Sequence, residues 1–137
     1  MYSLKYCKPE AISEAVSALK NTQDASFLAG GHTLIPTLKQ RLANPSLLID
    51  LSNCGLSGIS KTHNAFTIGA MTCHADVAKD KTVAKLNPGL TTLAGGIGDR
   101  QVQNCGTIGG SVANNDPATC YPSAVLALGG MIHTHKR

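Results

Sequence analysis

The chain has 137 residues, of which 15% are charged, and a formal net charge of +4. That length allows one core of ordinary size. The Lys and Arg residues form no basic stripe with interleaved aromatics, which argues against nucleic-acid binding. The N-terminal residues lack the apolar segment of a signal peptide, and the longest apolar stretch is too short to span a bilayer. We therefore expect a cytoplasmic module with no membrane span.

The first part of the chain, residues 1–53, predicts a small parallel sheet. Short apolar segments predict three strands, at Leu4–Cys7, Ser26–Ala29 and Leu47–Leu51. The segments between them predict two helices, Glu10–Asn21 and Leu34–Leu42. Pro9 is expected in the first turn of the earlier helix. This βαβαβ order implies parallel strands that form a first lobe.

The second part, residues 54–137, predicts a hairpin followed by helices. Its strands are expected at Gly58–Ser60 and Ala65–Ile68, with a turn at His63-Asn64. Three helices are expected next, at Cys73–Lys79, Thr82–Leu86 and Pro88–Gly96. Asp116 is expected to cap a last helix that runs through Leu128 and ends at Gly129-Gly130. The final segment, Met131–Arg137, is predicted as a strand without a following turn, so we expect a fragment that stops within a sheet.

Two segments are centred on Gly-Gly pairs: Leu28–Leu34 (LAGGHTL), the first glycine segment, and Thr107–Ser111 (TIGGS), the second. Such a turn aligns backbone N–H groups with no Cβ in the way, so a phosphate oxygen can approach closely. Both segments also carry hydroxyl side chains. Together they predict a binding site for a molecule with two phosphates.

The spacing excludes the commoner phosphate-binding loops. No Lys follows either Gly-Gly pair, so there is no GxxxxGK[ST] loop. Gly96-Ile97-Gly98 lacks the third glycine of a Rossmann fingerprint. The alternative that stays open is that the glycines only serve tight turns.

The cysteines and histidines predict no metal site. Five cysteines without a C-x-x-C pair argue against a disulfide framework and against a zinc or iron–sulfur site, so we expect reduced thiols at Cys7, Cys54, Cys73, Cys105 and Cys120. His133 and His135 would share one side of the predicted last strand but lack a third ligand. No nucleophile–base pair or carboxylate dyad is recognisable, so no catalytic residue is expected.

The glycine segments also carry a family resemblance. Residues 29–36 (AGGHTLIP) resemble the first flavin-binding motif of the medium subunit of molybdenum hydroxylases, a family that includes aerobic carbon monoxide dehydrogenases and bacterial xanthine dehydrogenases. Residues 97–117 (IGDRQVQNCGTIGGSVANNDP) resemble the second motif. The resemblance runs over essentially the whole chain, and the two motifs stand in the right order.

The resemblance implies an α+β fold, a two-lobed FAD-binding module of the vanillyl-alcohol-oxidase (PCMH) type. It further implies an incomplete second lobe in residues 54–137 and a missing C-terminal domain. The first motif would hold the FAD pyrophosphate through backbone amides, the second would contact the pyrophosphate and ribityl chain, and Ile97 would pack near the flavin ring. The implied FAD contacts are Ala29, Gly30, Gly31, His32, Thr33, Leu34, Ile97, Thr107, Ile108, Gly109, Gly110 and Ser111.

Two positions depart from the family pattern. Cys120 stands where many relatives have an Asp that hydrogen-bonds the cofactor, and cysteine is a poor acceptor. Gln103 stands where an Arg is frequent, which removes a positive charge near the site.

The function implied by the resemblance is electron transfer. A large molybdenum-cofactor subunit would oxidise the substrate, a small iron–sulfur subunit would relay electrons, and FAD bound here would pass them to an acceptor. Two alternatives stay open: a truncated product that does not retain FAD, or a binding module for another dinucleotide or a nucleoside diphosphate.

Overall fold

A computed structural model describes residues 1–63 and 65–135. Within them the strands are β1 (Lys5–Cys7), β2 (Ala25–Leu28), β3 (Leu47–Asp50), β4 (Ile59–Thr62) and β5 (Ala65–Ile68). The helices are α1 (Ile12–Asn21), α2 (Leu34–Lys39), α3 (His74–Lys79), α4 (Lys81–Leu86), α5 (Pro88–Gly96), α6 (Arg100–Cys105), α7 (Ile108–Asn114) and α8 (Cys120–Ala127). No helix in these described ranges is long and apolar enough to cross a bilayer.

The first three strands form the predicted parallel sheet. The strand order is β1-β3-β2, and Leu47 of β3 lies level with Lys5 and Ala25 in the two flanking strands. The apolar stripe of α1 packs against this sheet around a buried cluster of Ala15, Ile49 and Cys54. Burial of this stripe explains why a helix of only ten residues is stable here.

The remaining elements surround a second core. Strands β4 and β5 form the antiparallel hairpin that the sequence predicts, and α3 packs along α5. The core contains fully or almost fully buried side chains from four helices: Val77, Val83, Leu90, Ala94 and Tyr121. The turn residue Asn64 lies outside the described residues, so that part of the hairpin prediction stays a prediction.

Thr72 links the hairpin to the later helices. It is 2% exposed, and its hydroxyl accepts a hydrogen bond from the Gly58 N–H at 2.9 Å and donates one to the Gly58 carbonyl at 3.1 Å. Its carbonyl accepts the Ile108 N–H at 3.1 Å. One threonine therefore fixes the start of α7 relative to the segment that enters β4.

Helices α1 and α2 are shorter than predicted. Pro9 and Glu10 precede α1, which begins after an extended Ala11, while the carboxylate of Glu14 accepts the Glu10 N–H at 3.2 Å. The end of α2 is set by Arg41, which adopts a left-handed conformation with φ of 61°. This reverses the chain before Leu42 can extend the helix.

The last third of the chain contains two further differences. The carboxylate of Asp116 accepts the Ala118 N–H at 2.8 Å within a turn, so the helix begins three residues later than predicted, with Thr119 at its N-cap. Pro122 then falls in the first turn of α8, where a missing N–H is tolerated. Helix α6 was not predicted at all.

The predicted strand at Met131–Arg137 is wrong over its described part. Residues 131–135 form no strand, and within the described ranges no strand pairs with them. The chain leaves α8 through Gly129, whose φ is +61°. A strand needs a ladder partner for its N–H and C=O groups, and the apolar pattern alone does not supply one. Lys136 and Arg137 lie outside the described residues.

We predict that Thr72→Val lowers the free energy of unfolding by about 1–3 kcal/mol, because it keeps the side-chain shape but removes both hydrogen bonds to Gly58. Urea unfolding followed by circular dichroism measures the change. Thr67→Val, an exposed substitution on β5, is the matched control and should leave stability nearly unchanged. Equal stability of the two variants would contradict the structural role of Thr72.

Candidate cofactor-binding site

The fold brings the two glycine segments into contact. A Cβ added at Gly30 would lie 2.9 Å from the Gly106 Cα and closer still to the Cys105 carbonyl oxygen. At Gly110 an added Cβ would lie 3.6 Å from the Cβ of Ala29. The backbone of the first segment therefore touches the backbone of residues 105–106, which lead directly into the second segment more than seventy residues later in the sequence. This juxtaposition is what a shared ligand site requires.

The first glycine segment carries a row of unbonded amides. Across the described ranges 1–63 and 65–135, the N–H groups of Gly30–Leu34 make no hydrogen bond. The bonds of α2 begin one residue later, with the Ile35 N–H donating to the Gly31 carbonyl at 2.8 Å. Unbonded N–H groups at the start of a helix are suited to an anion.

Gly31 sets the shape of this row. Its φ is +73°, a region that L side chains rarely adopt, and an added Cβ would lie 2.9 Å from Cγ1 of Ile35. A side chain at this position would thus strain the backbone and crowd the first turn of α2. The turn that exposes the amides depends on glycine here.

The sequence predicts exposed backbone amides in both glycine segments, but in the second segment most of them are hydrogen-bonded. Four of its five N–H groups are bonded within the chain: Ile108 to the Thr72 carbonyl, Gly109 to the Ala70 carbonyl at 2.9 Å, Gly110 to the Thr107 hydroxyl at 3.1 Å and Ser111 to the Thr107 carbonyl. Thr107 thereby caps α7. The Ser111 hydroxyl, by contrast, makes no hydrogen bond within the described residues.

Gly109 has a packing reason to be glycine. An added Cβ would lie 2.6 Å from both the Cβ and the carbonyl oxygen of Ala70. Backbone crosses backbone at this point, so no larger residue fits without movement. The sequence left open that the glycines only serve tight turns. Gly109 shows a further structural reason, because it allows close packing of two backbone segments.

Helix α6 joins the two segments. The His32 Nε2 lies 3.2 Å from the carbonyl oxygen of Gln101 in the first turn of α6. Asp99 caps that helix by accepting the N–H groups of Gln101 and Val102 at 2.8 and 2.9 Å. Helix α6 lacks a clear apolar periodicity in the sequence, and Gly98-Asp99 is the one helix-start signal that indicates it.

Three other residues singled out in the sequence lie around this contact. Ile97 is half-buried at the end of α5 and packs against the second core. Gln103 donates from Nε2 to the Gly95 carbonyl at 2.9 Å, which ties α6 to α5. Cys120 is exposed as the first residue of α8.

A buried aromatic pair lies behind the second segment. His74 and Tyr121 are 4% and 0% exposed, and their ring centroids are 5.2 Å apart. The His74 Nε2 would lie 2.6 Å from a Cβ at Gly106, so this ring packs against the segment that Gly30 touches. Burial lowers the pKa of His74, and a nearby positive charge on His32 would lower that pKa further.

Comparison with known proteins identifies the family. Residues 2–137 match the family described as the FAD binding domain in molybdopterin dehydrogenase. The chain belongs to this family, and the α+β fold and the FAD cofactor that the resemblance implied are confirmed.

Relatives and solved structures agree with that assignment. The carbon monoxide dehydrogenase medium chain of Afipia carboxidovorans is 44% identical over 93% of this chain and 45% of its own length. The nicotine 6-hydroxylase medium subunit of Paenarthrobacter nicotinovorans is 36% identical over 95% of this chain and 46% of its own. The carbon monoxide dehydrogenase structure from Hydrogenophaga pseudoflava superposes with a TM-score of 0.89 at 39% identity, covering 92% of this chain and 45% of that one. The chain spans about half the length of the relatives it matches.

We predict that stability falls on acidification because of His74. Its pKa is lowered in the folded state, so below about pH 6.5 the unfolded chain binds a proton that the folded chain resists. The stabilisation is fully present above the pKa of the unfolded state and is lost as the pH falls below it, with a slope of at most about 1.4 kcal/mol per pH unit.

Urea unfolding of the wild type and of His74→Gln between about pH 7.5 and pH 5 measures this slope. The Gln variant should lose the His74 contribution to the pH dependence. His63→Gln removes an exposed histidine and is the matched control, which should keep the wild-type slope. If the free energy of unfolding of the wild type and of His74→Gln changed in parallel with pH, the pKa of His74 would be the same in the folded and unfolded chain, which would contradict the prediction.

Proposed function

We propose that this chain is the FAD-binding part of the electron-transfer subunit of a cytoplasmic molybdenum hydroxylase of the carbon monoxide or xanthine dehydrogenase type. Its partners would be a large molybdenum-cofactor subunit and a small iron–sulfur subunit. FAD supplies the redox chemistry when bound, taking electrons from iron–sulfur clusters and passing them to an acceptor. The protein residues bind the cofactor and orient it.

The observation that carries the proposal is the row of unbonded N–H groups at Gly30–Leu34. A diphosphate brings several anionic acceptor oxygens, and such oxygens match a row of backbone donors at the start of a helix. The donors are already oriented by the left-handed Gly31 and the contact between Gly30 and Gly106. On this proposal Ala29–Leu34 hold the pyrophosphate.

The second glycine segment would form the facing side of the same site. The cofactor would lie between residues 1–53 and 54–137, which we propose as its two lobes. Because the N–H groups of Ile108–Ser111 bond within the chain, the contacts of the second segment would come from the Ser111 hydroxyl and the backbone surface of Thr107–Gly110. Ile97 would add apolar contact to the flavin ring.

Absorbance and titration test the proposal. Protein purified with FAD and freed of excess cofactor should show the bands of bound oxidised flavin near about 375 and 450 nm. Titration with ADP, NAD and riboflavin then separates the alternatives. Tight binding of NAD without FAD would favour another dinucleotide, and no binding of any of them would favour a product that does not retain cofactor.

Assembly and activity test the wider proposal. The chain alone should oxidise no substrate, since the described residues contain no recognisable catalytic group and substrate contacts would lie in the large subunit. Coexpression with a molybdenum subunit and an iron–sulfur subunit from a related hydroxylase should yield a complex in size-exclusion chromatography. Substrate oxidation by the isolated chain would contradict the assignment of that chemistry to a partner.

We predict that Gly30→Ala weakens FAD binding at least about tenfold, because its Cβ would push the first glycine segment away from Cys105 and Gly106. Isothermal titration with FAD measures the loss. Gly96→Ala is the matched control, since an added Cβ there meets no atom within 4 Å and alanine favours the helix. Wild-type affinity in Gly30→Ala would contradict a cofactor site built on this contact.

A further inference from the structure

We infer that His32 is a positioning residue: its imidazole donates to the Gln101 carbonyl and thereby holds the amides of the first glycine segment in place for the diphosphate. This inference rests on the proposed FAD site. It assigns the His32 side chain a protein partner in α6, where the resemblance implied only a contact with the cofactor.

Two contacts hold the first glycine segment against residues 101–106. Gly30 packs against the backbone of Cys105 and Gly106, and the His32 Nε2 lies 3.2 Å from the Gln101 carbonyl oxygen. Gly31, the most flexible residue type, lies between these two contacts in a left-handed conformation. Without the His32 contact, only the Gly30 end of the segment would be fixed against α6.

The partner of His32 is itself held firmly. Asp99 accepts two N–H groups in the first turn of α6, and Gln103 bonds that helix to the Gly95 carbonyl. The Gln101 carbonyl is therefore a fixed acceptor. Although the contact with His32 is exposed, a fixed acceptor can orient the loop that donates to it.

The geometry at the imidazole favours this role over a phosphate contact through Nε2. A carbonyl oxygen only accepts, so Nε2 must carry the proton in this contact. In neutral histidine Nδ1 is then an acceptor, and two acceptors do not bond. The neutral side chain can therefore serve α6 or a phosphate oxygen through Nε2, and the structure places it on α6.

Two substitutions at His32 test the inference. His32→Leu removes the donor, whereas His32→Gln keeps an N–H donor at a similar distance from the backbone but carries no charge. We expect about a tenfold loss of FAD affinity in the Leu variant, the effect of one net hydrogen bond, and near wild-type affinity in the Gln variant. His63→Leu, at another exposed histidine, should bind FAD like the wild type.

The affinity of the Gln variant distinguishes a positioning role of His32 from a role of its positive charge. If His32 acted through a positive charge on the diphosphate, the Gln variant would bind as weakly as the Leu variant, and this result would overturn the inference. Equal affinity of the Leu variant and the wild type would overturn it as well.

A measurement without FAD keeps the two proposals apart. The Ile35 amide donates to the Gly31 carbonyl and reports on the order of the first glycine segment. Hydrogen exchange of this amide, followed by NMR in the cofactor-free protein, should be faster in His32→Leu and unchanged in His32→Gln. Unchanged exchange in the Leu variant would overturn the positioning role by itself, whereas failure of the wild type to bind FAD would overturn the proposed function and with it the role of His32 toward a diphosphate.

Discussion

The site depends on one close backbone approach, that of Gly30 to the Cys105 carbonyl and Gly106. Van der Waals contact at this distance is available only without a Cβ, so the identity of one residue decides whether the two glycine segments can meet. The parallel sheet delivers the first segment from β2, and the Thr72 bonds fix the second at the start of α7. The contact therefore joins the two cores as well as the two halves of the site.

The sequence supports much of this picture because most elements carry local signals. The apolar segments and the βαβαβ order predict the first sheet, and Pro88 predicts the start of α5, which agrees with the structure. The family resemblance supplied the cofactor and the meeting of the two glycine segments. Periodicity alone would not have placed residues more than seventy positions apart in contact, because it reports only on neighbours along the chain.

The wrong predictions share a physical cause. The residue type of Asp116 and the following Pro117 predict a helix cap, but the same carboxylate can close a local turn, and here it does. Residues 131–135 have the apolar content of a strand without a partner strand in the described residues. In both cases the local pattern permits two structures, so residue type alone does not decide between them.

The two threonines that precede α2 and α7 differ in whether they cap their helix. Thr107 is extended, with φ of −115° and ψ of 151°, so its hydroxyl can accept the Gly110 N–H and close the cap of α7. Thr33 is helical, with φ of −97° and ψ of −47°, and makes no such cap for α2.

The missing cap at α2 costs about 1 kcal/mol of stability. Because the Gly30–Leu34 amides are left unbonded, a diphosphate displaces only solvent from them and breaks no protein hydrogen bond. At the second segment the same approach would compete with bonds already made to Thr72, Ala70 and Thr107. On the proposed function, the difference in capping favours the first glycine segment as the place where the diphosphate would bind, with the second segment supporting it.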